Sequence, residues 1–206
     1  MPERIPRFGR TERLLHWTHA AAFAVLLATG LALYLPSLVE LVGRRHLVRG
    51  IHLWTALAWV AAIAVIVALG DRRRLRDDWR ELETLDRDDR RFITGRRAPQ
   101  GRFNGGQKLN ALLTVAFAFL FLLSGFFLWL GERDHAFILP GAVVVHDAVT
   151  FFSLLLLVGH LYLALIHPTT RHALRGMTVG DVDAAWAERH HPKWVEAERR
   201  VRQSAG

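Results

Sequence analysis

The stretch ILPGAVVVHDAVTFFSLLLLVGHLYLALI, residues 138–166, decides the fold of this 206-residue chain. Its only acidic, basic or imidazole side chains are Asp147 and two histidines. A helix crosses the roughly 30 Å hydrocarbon core of a bilayer with about 20 apolar residues. The stretch is therefore long enough to span a membrane, and its excess length indicates that the helix tilts or projects beyond the bilayer.

Three further apolar blocks precede this stretch, at about residues 14–35, 48–69 and 110–130. The chain is 51% hydrophobic and still 22% charged, with a net charge of +8, so apolar and basic residues are segregated along it. The first block is too long for the 7–15-residue apolar core of a signal peptide and is read as a retained helix. The pattern excludes a soluble enzyme and predicts an all-α integral membrane four-helix bundle, one domain over residues 1–206.

The distribution of lysine and arginine predicts the orientation of the bundle. The N-terminal arm carries 4 of the 27 basic residues, the loop 71–108 carries 12, and the tail 167–206 carries 7. Because basic loops stay on the cytoplasmic side, both termini are expected in the cytoplasm. The loop also holds 8 acidic residues and is expected to be partly helical around residues 74–85. Topology thus explains the basic composition, and no nucleic-acid partner is predicted.

Histidines are the candidate metal ligands. The chain has no cysteine, which excludes c-type haem attachment and cysteine-ligated clusters. Ionisable side chains inside a membrane are costly and indicate function. Four histidines lie in or at the edges of the spans, and the topology places two near the outer face (His52, His146) and two near the inner face (His16, His160). His146 and His160 both lie on the fourth helix, where they are separated by about 21 Å and share one face. Two depth-matched pairs predict two haem b groups clasped between helices.

Other readings of these residues stay open. His19 is three residues from His16 and has suitable spacing to be the ligand instead. Gly30 supports the haem interpretation. It lies on the same face as His16, near the outer pair, where a flat porphyrin needs a residue without a side chain. A haem-free transporter or assembly scaffold, with structural or proton-relay histidines, is the alternative from another class. Three arginines of the arm are either partners of haem propionates or positive-inside anchors (Arg7, Arg10, Arg13).

At this point the chain resembles the cytochrome b subunits of membrane-bound formate dehydrogenase, within the di-haem family shared with nickel–iron hydrogenase cytochrome b. The resemblance covers nearly the whole chain. It rests on the 14-residue separation of His146 and His160. It also rests on five segments: LHW at 15–17, RGIH at 49–52, RFNGGQK at 102–108, GM at 176–177 and WAERHHPKW at 186–194. Gly105 stands where the family usually has alanine.

The resemblance implies a specific set of ligands. The outer haem would be held by His52 and His146 and the inner haem by His16 and His160. A quinone would lie beside the inner haem, contacted by Asn104, Gly106, Gln107 and His160. The residues themselves agree, because asparagine and glutamine can hydrogen-bond a quinone carbonyl and glycine permits a close approach. Without the resemblance, an ordinary loop before a helix is the plainer interpretation.

The resemblance also implies a function. Electrons would pass from a molybdenum- or tungsten-containing catalytic alpha subunit through an iron–sulfur beta subunit to this chain. The chain would reduce menaquinone or ubiquinone at the cytoplasmic side in anaerobic respiration, without oxidising formate itself. The alternatives are a cytochrome b for nickel–iron hydrogenase or another molybdoenzyme, and a stand-alone quinol oxidase of the b561 type. The loop 71–102 and the tail histidines His190 and His191 either cover the cytoplasmic side or contact a partner subunit.

Overall fold

The computed structural model describes residues 3–35, 37–38, 40 and 43–204. Four of its helices are long and apolar enough to cross a membrane: α1 (Arg10–Tyr34), α2 (Arg45–Leu69), α5 (Gly105–Arg133) and α6 (Pro140–Leu161). A π-helical turn, Tyr162–Ile166, extends the last of them. Two shorter helices, α3 (Arg72–Glu83) and α4 (Arg87–Ile93), lie in the basic loop. The predicted all-α membrane fold with four spans is confirmed.

The outer surfaces of the long helices are apolar. Trp54 is 70% exposed, Phe119 65% and Leu155 69%, each on a different helix. Exposed apolar surface on this scale would drive aggregation in water, whereas lipid tails solvate it. The exposure of these side chains and the hydropathy of the sequence therefore both indicate that a bilayer surrounds these helices.

Helix ends differ from the limits of the apolar blocks. Helices α1 and α5 begin at Arg10 and Gly105, before the predicted starts at residues 14 and 110, because their first turns are polar. The backbone N–H of Gly9 donates to Glu12 Oε2 at 3.0 Å, which satisfies an otherwise unpaired donor at the helix start. Helix α6 begins at Pro140 and not at residue 138, since proline is favoured in the first helical position. Hydropathy detects only the part of a helix that lies in lipid.

The chain forms two compact units. The α1–α2 unit comprises Phe8–Asp78 and Gly176–Gly180, and the α5–α6 unit comprises the rest. In the α1–α2 unit the two long helices pack along each other. The indole N–H of Trp17 donates to the carbonyl of Met177 at 2.9 Å, which attaches the segment 176–180 to α1.

The α5–α6 unit contains a small buried core made from the two ends of the chain. Strand β1 (Arg4–Pro6) pairs antiparallel with β2 (Asp181–Asp183), and two helices follow, α8 (Ala184–His190) and α9 (Pro192–Ser204), after the short α7 (Leu174–Thr178). This terminal core consists of Ile5, Val182, Trp186, Ala187, Trp194 and Val195, all at most 6% exposed. The arm and the tail thus fold against each other.

Candidate functional site

His52 on α2 faces a polar residue and a glycine on α1. Its Nδ1 lies 2.8 Å from Thr29 Oγ1. The next residue is Gly30, where a Cβ atom would lie 3.5 Å from His52 Cε1. The structure therefore brings together His52 and Gly30, two residues that the sequence analysis singled out for different reasons.

His146 on α6 has the same surroundings in the other unit. Its Nδ1 lies 2.9 Å from Ser124 Oγ on α5. A Cβ atom at Gly125 would lie 3.5 Å from His146 Cε1. The ring of Phe121 meets the imidazole edge to face, with 5.2 Å between the ring centroids.

The two arrangements share a sequence pattern that the sequence analysis missed. A hydroxyl residue followed by glycine lies in one apolar helix, and the histidine follows on the next helix 23 or 22 residues later. Thr29, Ser124 and Gly125 were not among the predicted site residues. The signal was the pair of dipeptides Thr-Gly and Ser-Gly, which inside apolar helices look unremarkable until the facing histidine is known.

His16, His19 and His160 have other kinds of surroundings. The ring of His16 meets Trp17 edge to face at 5.2 Å. His19 packs among aromatic rings, with centroid distances of 5.6 Å to Trp59 and 6.0 Å to Phe23. His160 is exposed and lies in the last turn of α6, immediately before the π-helical turn. His19 thus contacts aromatic rings of both α1 and α2.

Asn104 and Gln107 form a reciprocal cap at the start of α5. Asn104 Oδ1 accepts from the Gln107 backbone N–H at 2.9 Å, and Gln107 Oε1 accepts from the Asn104 backbone N–H at 3.0 Å. The oxygen atoms of both amides are therefore engaged in capping. Their NH₂ groups are donors, and a donor is what a quinone carbonyl requires.

The two glycines of this segment differ in what they do. A Cβ atom at Gly105 would lie 2.4 Å from the Asp89 carbonyl oxygen, so glycine is needed where α5 touches α4. The contact is reinforced by Lys108, whose buried Nζ lies 2.7 Å from Asp89 Oδ2 and donates to the Thr84 carbonyl. Gly106 is exposed, and its lack of a side chain keeps the surface beside Asn104 open.

Arg7 joins the arm to the cap of α5. The residue is 1% exposed, and its Nη2 donates to the Arg102 carbonyl at 2.7 Å, to His191 Nε2 at 3.1 Å and to Gln107 Oε1 at 3.4 Å. Burial, followed by the charge of Arg102, lowers the pKa of Arg7 to about 9, so its guanidinium is charged at neutral pH. Of the other two arginines of the arm, for which propionate pairing and positive-inside anchoring were both left open, Arg13 donates to the carbonyls of Gly9 and Thr178, and Arg10 is exposed.

The tail histidine His191 docks on the loop that precedes α5. Because Arg7 can only donate, Nε2 of His191 accepts, and Nδ1–H donates to the Gly101 carbonyl at 2.7 Å. Burial, followed by the charge of Arg7, lowers the pKa of His191 to about 3, so the ring is neutral. The backbone N–H of Lys193 donates to the Gln100 carbonyl at 3.1 Å. The loop and the tail, whose roles the sequence left open, are thus bound to each other.

Comparisons with known proteins identify the family. The model of the prokaryotic cytochrome b561 family matches residues 7–180. The chain is 26% identical to the formate dehydrogenase cytochrome b556(fdo) subunit of Escherichia coli K12, over 97% of the chain and 95% of that protein. It is 27% identical to the formate dehydrogenase cytochrome b556 subunit of Haemophilus influenzae, over 95% of the chain and 84% of that protein. It is 24% identical to the nitrate-inducible cytochrome b556(Fdn) subunit of E. coli K12, over 89% and 86%. The chain therefore belongs to the prokaryotic cytochrome b561 family and is a membrane cytochrome b, for which the family implies haem b.

Proposed function

We propose that this chain is the cytochrome b subunit of a membrane-bound formate dehydrogenase in a bacterial inner membrane, with both termini in the cytoplasm. It takes electrons from an iron–sulfur beta subunit, which a molybdenum or tungsten alpha subunit reduces with formate, and it reduces menaquinone or ubiquinone at the cytoplasmic side. The observation that carries the proposal is the near full-length similarity to formate dehydrogenase cytochrome subunits. Formate oxidation belongs to the alpha subunit and not to this chain.

His52 and His146 are proposed as ligands of an outer b haem, and His16 and His160 as ligands of an inner one. The donor set suits the group, because neutral imidazoles ligate haem iron. Glycines beside His52 and His146 support the outer site, since a Cβ atom at Gly30 would fill space next to the imidazole edge. Haem b, when bound, supplies one-electron redox chemistry, while the protein supplies ligands, spacing and an apolar shell.

The quinone site is proposed at Asn104, Gly106 and Gln107, beside the ligand His160. The amide NH₂ groups of Asn104 and Gln107 are donors for a quinone carbonyl, because capping engages their oxygens. Arg7 contributes indirectly, since its Nη2 holds Gln107 Oε1. Protons for the quinol enter from the cytoplasmic side, where these groups are proposed to lie.

The quinone site is tested with a side chain at the exposed glycine. In the purified complex, Gly106→Leu is expected to raise the quinone concentration for half-maximal rate, about tenfold for each 1.4 kcal/mol of lost binding. Haem content and spectrum should match those of the wild type. Gly141→Leu is the control, because nothing lies within 4 Å of a Cβ atom there. Unchanged quinone kinetics in Gly106→Leu would place the quinone elsewhere.

The partner assignment is tested by purifying the tagged chain from its own membranes in mild detergent. The expected result is co-purification of a molybdenum or tungsten subunit and an iron–sulfur subunit, with formate reducing the cytochrome in the isolated complex. Reduction by hydrogen together with a nickel–iron subunit would assign the chain to a hydrogenase. A cytochrome that quinol reduces and that purifies alone would assign it to the stand-alone b561 type.

A further inference from the structure

The hydroxyl groups facing His52 and His146 determine which ring nitrogen carries the proton. Thr29 Oγ1 is 2.7 Å from the Val25 carbonyl and 3.2 Å from the Leu26 carbonyl of its own helix. A hydroxyl has one proton, and carbonyls can only accept it. The single proton of Thr29 is therefore donated to the backbone of α1.

The contact between Thr29 and His52 then has only one possible direction. Because the hydroxyl proton is used within α1, Oγ1 can only accept from His52 Nδ1 over the 2.8 Å between them. Nδ1 of His52 must carry the ring proton. The lone pair of the neutral imidazole consequently lies on Nε2, the nitrogen farther from the backbone.

Ser124 repeats the arrangement in the other unit. Its Oγ lies 2.6 Å from the Leu120 carbonyl, to which it donates, and 2.9 Å from His146 Nδ1, from which it accepts. The ring of Phe121 packs edge to face with the same imidazole. His146 therefore has the same tautomer as His52, with the lone pair on Nε2.

We propose that Thr29 and Ser124 are positioning residues for the outer haem, holding His52 and His146 as Nδ1–H tautomers that present Nε2 to the iron. This inference rests on the proposed function, which makes these two histidines ligands of one haem. An acceptor on the distal N–H of a ligating histidine fixes the ring orientation and makes the ligand more basic. Each hydroxyl would thus orient one of the two proposed ligands and make it more basic.

The test removes each hydroxyl with the smallest change of shape, in the full chain purified with its haem. Thr29→Val and Ser124→Ala lack the acceptor, whereas Thr29→Ser and Ser124→Thr retain it. Thr114→Val is the matched control, because the Thr114 hydroxyl donates to the Asn110 carbonyl of the same helix. The readouts are haem per chain, the midpoint potentials of the two centres and the low-spin electron paramagnetic resonance signals.

Loss of either acceptor should weaken haem retention at one centre, in the range of about 10–100-fold seen for outer-shell partners of metal ligands. A less basic imidazole favours ferrous iron, so the midpoint potential of that centre should rise, with 59 mV for each tenfold change in the one-electron equilibrium. Both variants should affect the same centre, the one that His52→Ala removes. Thr29→Ser, Ser124→Thr and Thr114→Val should behave as the wild type.

The outcomes separate this inference from the proposal beneath it. A wild-type chain without haem would overturn both. Two haems in the wild type, with unchanged retention and potentials in Thr29→Val and Ser124→Ala, would overturn the positioning role alone. Shifts at two different centres would overturn the shared outer haem, and with it the claim that both hydroxyls act on one iron.

Discussion

His191 packs against Trp186 and Trp194 of the terminal core and should make that core sensitive to mild acid. Burial, followed by the charge of Arg7, lowers the pKa of folded His191 from its ordinary 6.5 to about 3. Below pH 6.5 the unfolded segment binds a proton that the folded one does not. Stability contributed by His191 is therefore complete above about pH 6.5 and is lost as the pH falls toward 3. By pH 5 the loss should reach about 2 kcal/mol, or roughly 30-fold in the opening equilibrium.

Hydrogen exchange of the α8 and α9 amides in the lipid-reconstituted protein measures this opening. After correction for intrinsic exchange, protection should fall about 30-fold between pH 7 and pH 5. His191→Gln is the control, because its amide can donate to the Gly101 carbonyl and accept from Arg7 but does not titrate. Asp86, whose pKa is lowered to about 2 mainly by the Asp89 backbone N–H, titrates below this range. Equal loss of protection in wild type and His191→Gln would refute the reasoning.

Three further predictions concern other contacts. Gly105→Ala should destabilise the α4–α5 contact by about 1–3 kcal/mol, because its Cβ meets the Asp89 carbonyl oxygen at 2.4 Å; thermal unfolding measures this, with Gly141→Ala as the unaffected control. Lys108→Met should lower the free energy of unfolding by about 3–5 kcal/mol, because the buried Asp89 carboxylate loses its cation. Adding Asp89→Leu should recover part of this stability. A double variant no more stable than Lys108→Met would contradict the prediction. Gly30→Val should lower haem content by filling space 3.5 Å from the His52 ring, while Gly141→Val should not; equal haem in both would remove the role given to Gly30.

The membrane helices were predictable because lipid imposes a simple rule on their sequence. Every span needs about 20 apolar residues, and this signal is local to each segment. Their ends were less predictable, since caps such as Asn104 with Gln107 are polar and belong to the loop by composition. The terminal core was missed altogether. Its strands are three residues long, too short for an alternating pattern, and they pair residues from opposite ends of the chain.

The candidate site shows the same division between local and long-range information. Depth and helical spacing suffice to single out His52 and His146, because a histidine in an apolar helix is conspicuous. Thr29 and Ser124 are not conspicuous, since a hydroxyl that bonds its own helix is ordinary until a ring is found facing it. The sequence offered Arg7 only as a propionate partner or a positive-inside anchor, because only the folded arm shows that three acceptors lie within 3.4 Å of its Nη2.

The most direct test of the central claim is a dithionite-minus-oxidised spectrum of the purified chain, with haem quantified per polypeptide, for the wild type and five histidine variants. The account predicts two low-spin b haems in the wild type. His52→Ala and His146→Ala should lose the same one, and His16→Ala and His160→Ala the other, while His46→Ala should lose neither. Folded protein without haem, or a pairing of losses other than this one, would contradict it.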